Sequence, residues 1–587
     1  MAPTQEVSNR GTAPKGDRRM FFQEPPRLRN TYRSDAVLHE YLERLLPEEV
    51  RTQVEPALDQ MGEAAAGDLA RLAEEAEGTP PRLVQHDPWG RRIDRIELSP
   101  AWSQLHAVQA RAGLCALPYE DHHGRYDRIV QHALLHLYAP SSAVYTCAVA
   151  MTDAAVRVLV DHAPAELRAR VVPRLTSRDP ERAWTSGQWM TEREGGSDVG
   201  GTATVARCDE AGGWRLHGVK WFTSATDADC ALALARPEGA PDGSRGLGLF
   251  LVERIDPRSG QTQLGSTILV NRLKDKLGTR ALPTAELTLA GAHATPVGSV
   301  DGGLKKIAGM LNVTRMHNAL SSAAGMRRGL ELALAYARAR QAFGRPLVDL
   351  PLHRVTLADL AVEAEAGFAL VARGMQLLGR LEHGAASELE QRALRALIPT
   401  IKLLTAKDAV AHASEVVEAF GGAGYIEDTG IPRLLRNAQV LPIWEGTTNV
   451  LSLDLLRAES REQAVTALLG DLAEHITAVR AAPATGVGVD LVDRSRAALL
   501  ERVRAWPDAD GDALQEQMRD FALRLGRTYA AVLLARHAAY RRSHQGDDRA
   551  AQVAHHYAER WLWGIETAAA SGQRGSGTYP TASISWV

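Results

Sequence analysis

The chain has 587 residues, of which 45% are hydrophobic and 24% charged, a globular composition that excludes a wholly disordered protein. With 68 Lys and Arg against 71 Asp and Glu, the net charge of −3 argues against a dominant pull of the whole chain toward nucleic acid or anionic membrane, while a local basic patch stays open. At about 150 residues per domain the length predicts roughly four compact units.

Residues 1–30 read as a flexible arm: Pro3, Pro14, Pro25 and Pro26 oppose helix, and no apolar run of a signal peptide is present. Residues 31–180 read as a helical domain, with Leu38, Tyr41, Leu42, Leu45 and Leu46 at helical spacing. Within it, 79–98 carries Pro80, Pro81, Pro88 and Gly90 and reads as a loop with a short connector. The most apolar stretch, 143–160, contains Asp153 and Arg157, which predicts a buried helix rather than a membrane span. Residues 181–298 hold 17 glycines and short β-prone runs divided by turn clusters, the pattern of a compact antiparallel sheet domain. Helical periodicity returns over 299–460, broken at Phe343-Gly-Arg-Pro, Gly384 and Gly421-Gly-Ala-Gly, and continues in a further helical region over 461–587. That last region is interrupted by a Pro/Gly-containing stretch at 481–489 and turns irregular from Ser571. The four cysteines (Cys115, Cys147, Cys208, Cys230) form no C-x-x-C pair and read as reduced packing thiols of a cytoplasmic protein. The fold class expected is α+β.

Four signals could carry chemistry, the first of them spread over two segments. In Trp189-Met-Thr-Glu-Arg-Glu-Gly-Gly-Ser-Asp198, Thr191 and Ser197 offer hydroxyls, and Gly195-Gly196 lets backbone approach a flat or anionic ligand; a plain turn between strands reads equally well. Lys220-Trp-Phe-Thr-Ser224 follows, as core plus turn or as a second wall of the same site. Arg338-Ala-Arg-Gln-Ala-Phe-Gly-Arg345 ends an amphipathic helix, where Arg340 could hold phosphate or simply complement the helix dipole. Phe420-Gly-Gly-Ala-Gly-Tyr425 permits a tight turn but lacks a preceding strand and G-x-G-x-x-G spacing, which argues against a Rossmann phosphate loop. In Leu441-Pro-Ile-Trp-Glu-Gly-Thr-Thr-Asn449, Glu445 is a lone carboxylate among apolar neighbours, suited to a raised pKa and general-base work, or else a carboxylate favoured by a helix N-terminus. No serine-hydrolase elbow, H-E-x-x-H or P-loop pattern is present, and the 19 histidines suggest no metal site.

In this order and spacing the segments resemble the acyl-CoA dehydrogenase superfamily of flavoproteins over roughly residues 100–457. A closer likeness is to the AidB-type branch, carried by His86-Asp-Pro-Trp-Gly-Arg-Arg-Ile-Asp94, Pro100-Ala-Trp102, Met190 to Asp198, Arg272-Leu-Lys-Asp-Lys-Leu-Gly278 and Asp454-Leu-Leu-Arg457. The resemblance implies a helical N-terminal domain, a middle β-barrel-like domain, a four-helix bundle and, for that branch, an extra C-terminal helical domain. It implies FAD lined by Met190, Thr191, Gly196 and Ser197, with Trp221 and Thr223 along the ring system and ribityl chain. Arg340, Phe343, Gly421 and Gly422 would reach the diphosphate and adenosine end, partly across a dimer interface, and Thr447 and Asn449 would close over the cofactor. Glu445 matches the usual catalytic base. Some relatives place the base on an earlier helix just before an arginine; here that position is Thr314, before the substrate-side Arg315, and threonine cannot deprotonate a carbon acid.

The activity implied is α,β-dehydrogenation of an acyl-CoA, with an electron-transferring flavoprotein or oxygen as acceptor and a homodimer or homotetramer as the assembly. The first alternative is a DNA-binding alkylation-response flavoprotein of AidB type. Residues 461–587 hold 15 Arg, no Lys and 15 Asp and Glu, a balance that disfavours DNA binding without excluding a clustered face such as Arg536, Arg541 and Arg542. The second is a flavin oxidase or monooxygenase of a small metabolite; the retained Glu445 argues mildly against a monooxygenase, whereas nitroalkane-oxidising relatives keep a carboxylate.

Overall fold

The computed structural model describes residues 23–482 and 488–562. Most of the expected N-terminal arm and the irregular end from Ser571 lie outside the described residues. Helices α1 (Ala36–Leu45), α2 (Glu48–Ala66) and α3 (Asp68–Gly78) open the chain. Asp35 caps α1 by accepting from the Leu38 N–H at 3.1 Å. The segment read as a loop is instead an antiparallel hairpin, β1 (Arg82–His86) and β2 (Arg92–Glu97). Its prolines and glycine sit before the first strand and in the turn, and what makes it a ribbon is docking. Buried Asp94 accepts from the Val270 N–H at 2.8 Å, while Gln85 Nε2 and Arg92 Nη2 donate to the Val270 carbonyl at 3.0 and 2.9 Å.

Helices α4 (Pro100–Arg111), α5 (Leu117–Glu120), α6 (Asp127–Tyr138), α7 (Thr146–His162) and α8 (Ala165–Leu175) complete the first helical part. The apolar stretch around Asp153 is α7, and Asp153 is buried against Arg128 at 2.7 Å and His317 at 2.8 Å. Among the described residues no helix is long and apolar enough to cross a membrane, and the four cysteines are free thiols.

Strands β3 (Ser186–Trp189), β4 (Val205–Cys208), β5 (Trp214–Ser224), β6 (Cys230–Pro237), β7 (Gly248–Glu253), β8 (Ile268–Leu273) and β9 (Thr284–Pro296) form one sheet. The pairings β6–β4, β4–β5, β5–β9, β9–β7 and β7–β6 return to their start, so the sheet closes on itself and leaves few exposed edges. Ala231, Ala233, Leu216, Phe250, Val270 and Leu287 fill its core.

The bundle consists of α9 (Gly303–Ala339), the short ribbon β10 (Gln341–Ala342) and β11 (Arg345–Pro346), α10 (Pro351–Glu382), α11 (Glu388–Ala419), α12 (Ile431–Ala438) and α13 (Thr448–Glu462). A Ser387–Glu390 capping box starts α11. Beyond it come α14 (Ala464–Arg480), α15 (Val489–Arg504), α16 (Gly511–Gln545) and α17 (Arg549–Leu562); α14, α16 and α17 pack on α10 or α11, and α15 packs on these three. Their joint is apolar (Leu404, Phe521, Leu525, Leu533) and studded with ion pairs, Arg527–Asp408 at 2.5 Å and Arg373–Asp471 at 2.8 Å.

Candidate active site

Between α12 and α13 the chain turns sharply, with Glu445 at φ +60° and Gly446 at φ +105°. The left-handed region is unusual for glutamate and must be held by its surroundings. A Cβ on Gly446 would lie 2.9 Å from Leu451 Cδ2, so this glycine has no ready substitute. The turn is gripped by three side chains from two helices. Arg315 Nε of α9 donates to the Glu445 carbonyl at 3.4 Å, Lys402 Nζ of α11 to the Gly446 carbonyl at 2.6 Å, and Asn318 Nδ2 of α9 to the Leu441 carbonyl at 3.0 Å. Asp454 of α13 steadies Arg315 at 3.2 Å and is itself held by Arg395 at 2.7 Å. Thr447 then caps α13 through its Oγ1.

The Glu445 carboxylate accepts from Thr314 Oγ1 at 2.7 Å and from Gln188 Nε2 at 3.2 Å. Burial pushes its pKa above the usual carboxylate value, against the opposing pull of the Thr314 hydroxyl and the charges of Arg315 and Lys402. Burial also drives the Lys402 amine down to about 7. The backbone N–H of Glu445 makes no hydrogen bond among the described residues.

Glu445 opens into a cavity of about 2020 Å³ running between the barrel and the bundle. Small-ligand pockets reach roughly 1,000 Å³, so the space admits two bound molecules side by side. Eleven Lys and Arg line it against seven Asp and Glu, a surplus that favours polyanionic ligands. An apolar wall comes from Ala143, Cys147, Ala150 and Met151 at and along α7, facing Ile307 and Leu311 of α9.

Met190, Thr191, Gly196, Ser197, Arg315, Glu445 and Thr447 all line this cavity. At Gly196 a Cβ would sit 2.5 Å from Thr191 Oγ1, so glycine keeps the loop folded around that hydroxyl. On β5 it is Phe222 and Ser224 that reach the cavity. Trp221 lies under Lys274, whose Nζ is 3.6 Å from the ring centroid, and the Thr223 hydroxyl donates to the Ala285 carbonyl at 2.9 Å. Arg340, Gly421 and Gly422 line a second hollow of about 590 Å³ beside the stacked Tyr336 and Phe420 rings. Phe343 projects from the β10–β11 ribbon, 94% exposed. Asn449 points to the C-terminal helices, its Oδ1 accepting from Arg519 Nη1 at 3.0 Å.

Three contributors escape the motif reading. Gln188 and Lys402 sit in stretches with no marker of their own, and only the tertiary approach of β3 and α11 brings them to Glu445. Glu192 lies inside the glycine-containing motif, yet its work is internal. Its carboxylate accepts from buried Lys220 at 2.7 Å, from Thr204 Oγ1 at 2.5 Å and from the Ala203 N–H at 2.7 Å, pinning the loop that carries Thr191 and Ser197.

Three family models match in succession: the AidB adaptive response protein N-terminal domain over 23–181, the acyl-CoA dehydrogenase middle domain over 187–292 and its C-terminal domain over 301–459. Acyl-CoA dehydrogenase family member 11 of Caenorhabditis elegans is 44% identical over 465 residues, covering 78% of this chain and 75% of its own. The chain belongs to the acyl-CoA dehydrogenase family. The AidB protein of Escherichia coli, a putative acyl-CoA dehydrogenase by its description, is 34% identical over 420 residues, 70% of this chain and 74% of its own. The crystal structure of C. elegans ACDH-11 in complex with C11-CoA superposes with a TM-score of 0.85 at 38% identity, covering 95% of this chain and 94% of that one. Membership makes this an FAD-dependent oxidoreductase close to the AidB-type branch, with the α+β architecture and extra C-terminal helices expected from its sequence. The residues present fit that cofactor. The volume exceeds what one substrate needs, the lining is cationic, and the Thr191, Ser197 and Gly196 cradle offers hydroxyls and unobstructed backbone to a flat, anionic group.

Proposed function

We propose that the protein catalyses α,β-dehydrogenation of an acyl-CoA thioester with Glu445 as the base. The observation that carries the reading is a carboxylate raised by burial, held by two side-chain donors in a strained turn, and opening on a cavity large enough for two ligands. Met190, Thr191, Gly196 and Ser197 would hold the flavin, with Trp221 and Thr223 behind them and Thr447 near its entrance. Bound FAD supplies the hydride acceptor for the substrate β-carbon.

Thr314 and Gln188 occupy one hydrogen-bonding position on each carboxylate oxygen, fixing its plane and leaving further lone pairs for the α-proton. The unengaged N–H of Glu445 lies beside its own carboxylate and is suited to hold the thioester carbonyl, where negative charge develops as the α-proton leaves. Lys402 and Arg315, bound to the two carbonyls of the turn, keep that N–H and the carboxylate in fixed relation. The α7 and α9 wall takes the acyl chain, and the cationic rim suits the CoA phosphates. That a relative has been seen with C11-CoA supports an acyl thioester of this kind.

Arg340, Gly421 and Gly422 line the second hollow, to which Phe343 of the neighbouring ribbon would add. Exposed Phe343, Leu352, Tyr425 and Ile426 flank it and support self-association as a homodimer or homotetramer, with the adenosine end of FAD held there. An electron-transferring flavoprotein or oxygen would reoxidise the flavin. The test is anaerobic titration of the flavin-loaded protein with acyl-CoAs of graded length, following the visible band of the oxidised flavin. Bleaching by one member of the series is expected. If dithionite bleaches the band and no acyl-CoA does, the dehydrogenase reading is lost.

A further inference from the structure

At the junction of the N-terminal helices with the bundle, far from Glu445 in the chain, three side chains converge without a role in the chemistry above. Asp121 ends α5, Asp127 begins α6, and His383 caps α10; one donor atom from each lies within 4.8 Å of the others. Asp127 is fully buried. Its Oδ1 accepts from the His123 N–H at 3.0 Å, while its Oδ2, also buried, has no hydrogen-bond partner among the described residues. A buried carboxylate oxygen left without a partner is costly, which makes it the informative atom of the cluster.

His383 supplies the second sign. Its Nδ1 is 3.0 Å from the Gly379 carbonyl. A carbonyl can only accept, so Nδ1 carries the hydrogen, which leaves Nε2 as the nitrogen facing Asp121 Oδ1, 3.2 Å away. A proton or a metal ion can bridge that nitrogen and oxygen, and the unpartnered Asp127 Oδ2 beside them favours the metal ion. An imidazole oriented by a backbone carbonyl through one nitrogen, with the other free for coordination, is the common arrangement of metal-bound histidine.

We infer that Asp121, Asp127 and His383 form a binding site for one divalent ion of the zinc class, joining the N-terminal helical domain to α10. The donor set of one imidazole and two carboxylates suits such an ion better than calcium or magnesium, which favour oxygen throughout. Two carboxylates also balance its charge. Bonds of about 2.0–2.2 Å would draw the donors together, and Asp121, with its side chain 77% exposed, is free to rotate inward. The ion would sit at the outer end of a buried relay. Arg128, next to Asp127, binds Glu382, next to His383, through two contacts of 2.7 Å, and passes through Asp153 to His317 on the cavity wall.

The experiment uses untagged, flavin-loaded full-length protein, stripped with chelator and titrated with zinc against a competing indicator dye. One tight equivalent per chain is expected. Asp121→Asn and His383→Gln should each weaken it by at least about 10- to 100-fold, the range seen even for outer partners of metal ligands. A control at the exposed pair His555–Glu559, His555→Gln, should leave it unchanged. Absence of a tight equivalent overturns the inference, as does its survival in the double variant or a preference for calcium or magnesium over zinc.

Discussion

Thr314 and Glu445 meet at 2.7 Å across 131 residues of chain, the hydroxyl of the long bundle helix donating to the carboxylate of the turn. Thr314 thus donates to the carboxylate proposed as the base, and that bond favours the ionised form. Thr314→Val should therefore raise the Glu445 pKa further. Because the base acts deprotonated, the acidic limb of the kcat/KM profile should move to higher pH, by about one unit for a bond of about 1.4 kcal/mol. An unmoved limb would show that this contact does not tune the base.

Glu445→Gln keeps the size and the Gln188 and Thr314 neighbours while removing the proton acceptor. Flavin binding should persist and turnover should fall by about 10²- to 10⁴-fold in single-turnover flavin reduction. Full activity in this variant would place the base elsewhere.

Lys402→Met tests the grip on the turn. Loss of the cation should also raise the Glu445 pKa, and loss of the 2.6 Å bond to Gly446 should lower kcat more than it raises KM. Its stability signature has a definite sign. The amine titrates at about 7 when folded and near 10.5 when free, so across that window the unfolded chain holds more protons and wild type gains stability as pH rises. Melting temperatures of wild type and Lys402→Met should thus converge, or reverse in favour of wild type, between pH 6.5 and 9.5.

Glu192→Gln leaves the Lys220 ammonium buried without its counter-ion. Breaking such a pair costs about 3–5 kcal/mol, which urea denaturation would register as a lower midpoint. The same variant should release flavin more readily, because the loop carrying Thr191 and Ser197 loses its anchor.

The DNA-binding reading of the C-terminal helices makes a contrary prediction. Arg541 is engaged by Glu40, Glu43 and Asp547, and Arg542 by Asp548, so two of the three arginines of that face, Arg536 being the third, are paired within the fold. Duplex DNA should migrate unretarded with the protein at about 0.15 M salt. A retarded band that dissolves steeply with added salt would restore that function.

The α+β architecture was legible because its signals are local: glycine-dense β texture between alanine- and leucine-rich helical periods. Glu445 stood out locally as a lone carboxylate after Pro442, Ile443 and Trp444, a pattern a helix N-terminal carboxylate shares, and it was the family resemblance that singled it out. Gln188, 257 residues away from it, was not, since an amide in a short strand carries no mark until the bundle folds over the barrel. The β1–β2 hairpin was hidden for a related reason: its prolines and glycine punctuate the ends, while the bonds that make it a ribbon come from Val270. Asn449 shows a competitor at work, for Arg519 of α16 occupies the oxygen that motif reasoning aimed at the cofactor.

Glu40 on the first helix is bound by His537 at 3.1 Å and by Arg549 at 2.7 Å, partners that lie 497 and 509 residues later. Translation at about 5–20 residues per second leaves that carboxylate waiting roughly half a minute or more for its counter-charges. The opening helix thus stays only partly secured while the barrel and bundle emerge. A ribosome that stops after Glu445 but before His537 would release a chain in which that carboxylate is already encoded while Glu40 lacks both counter-charges.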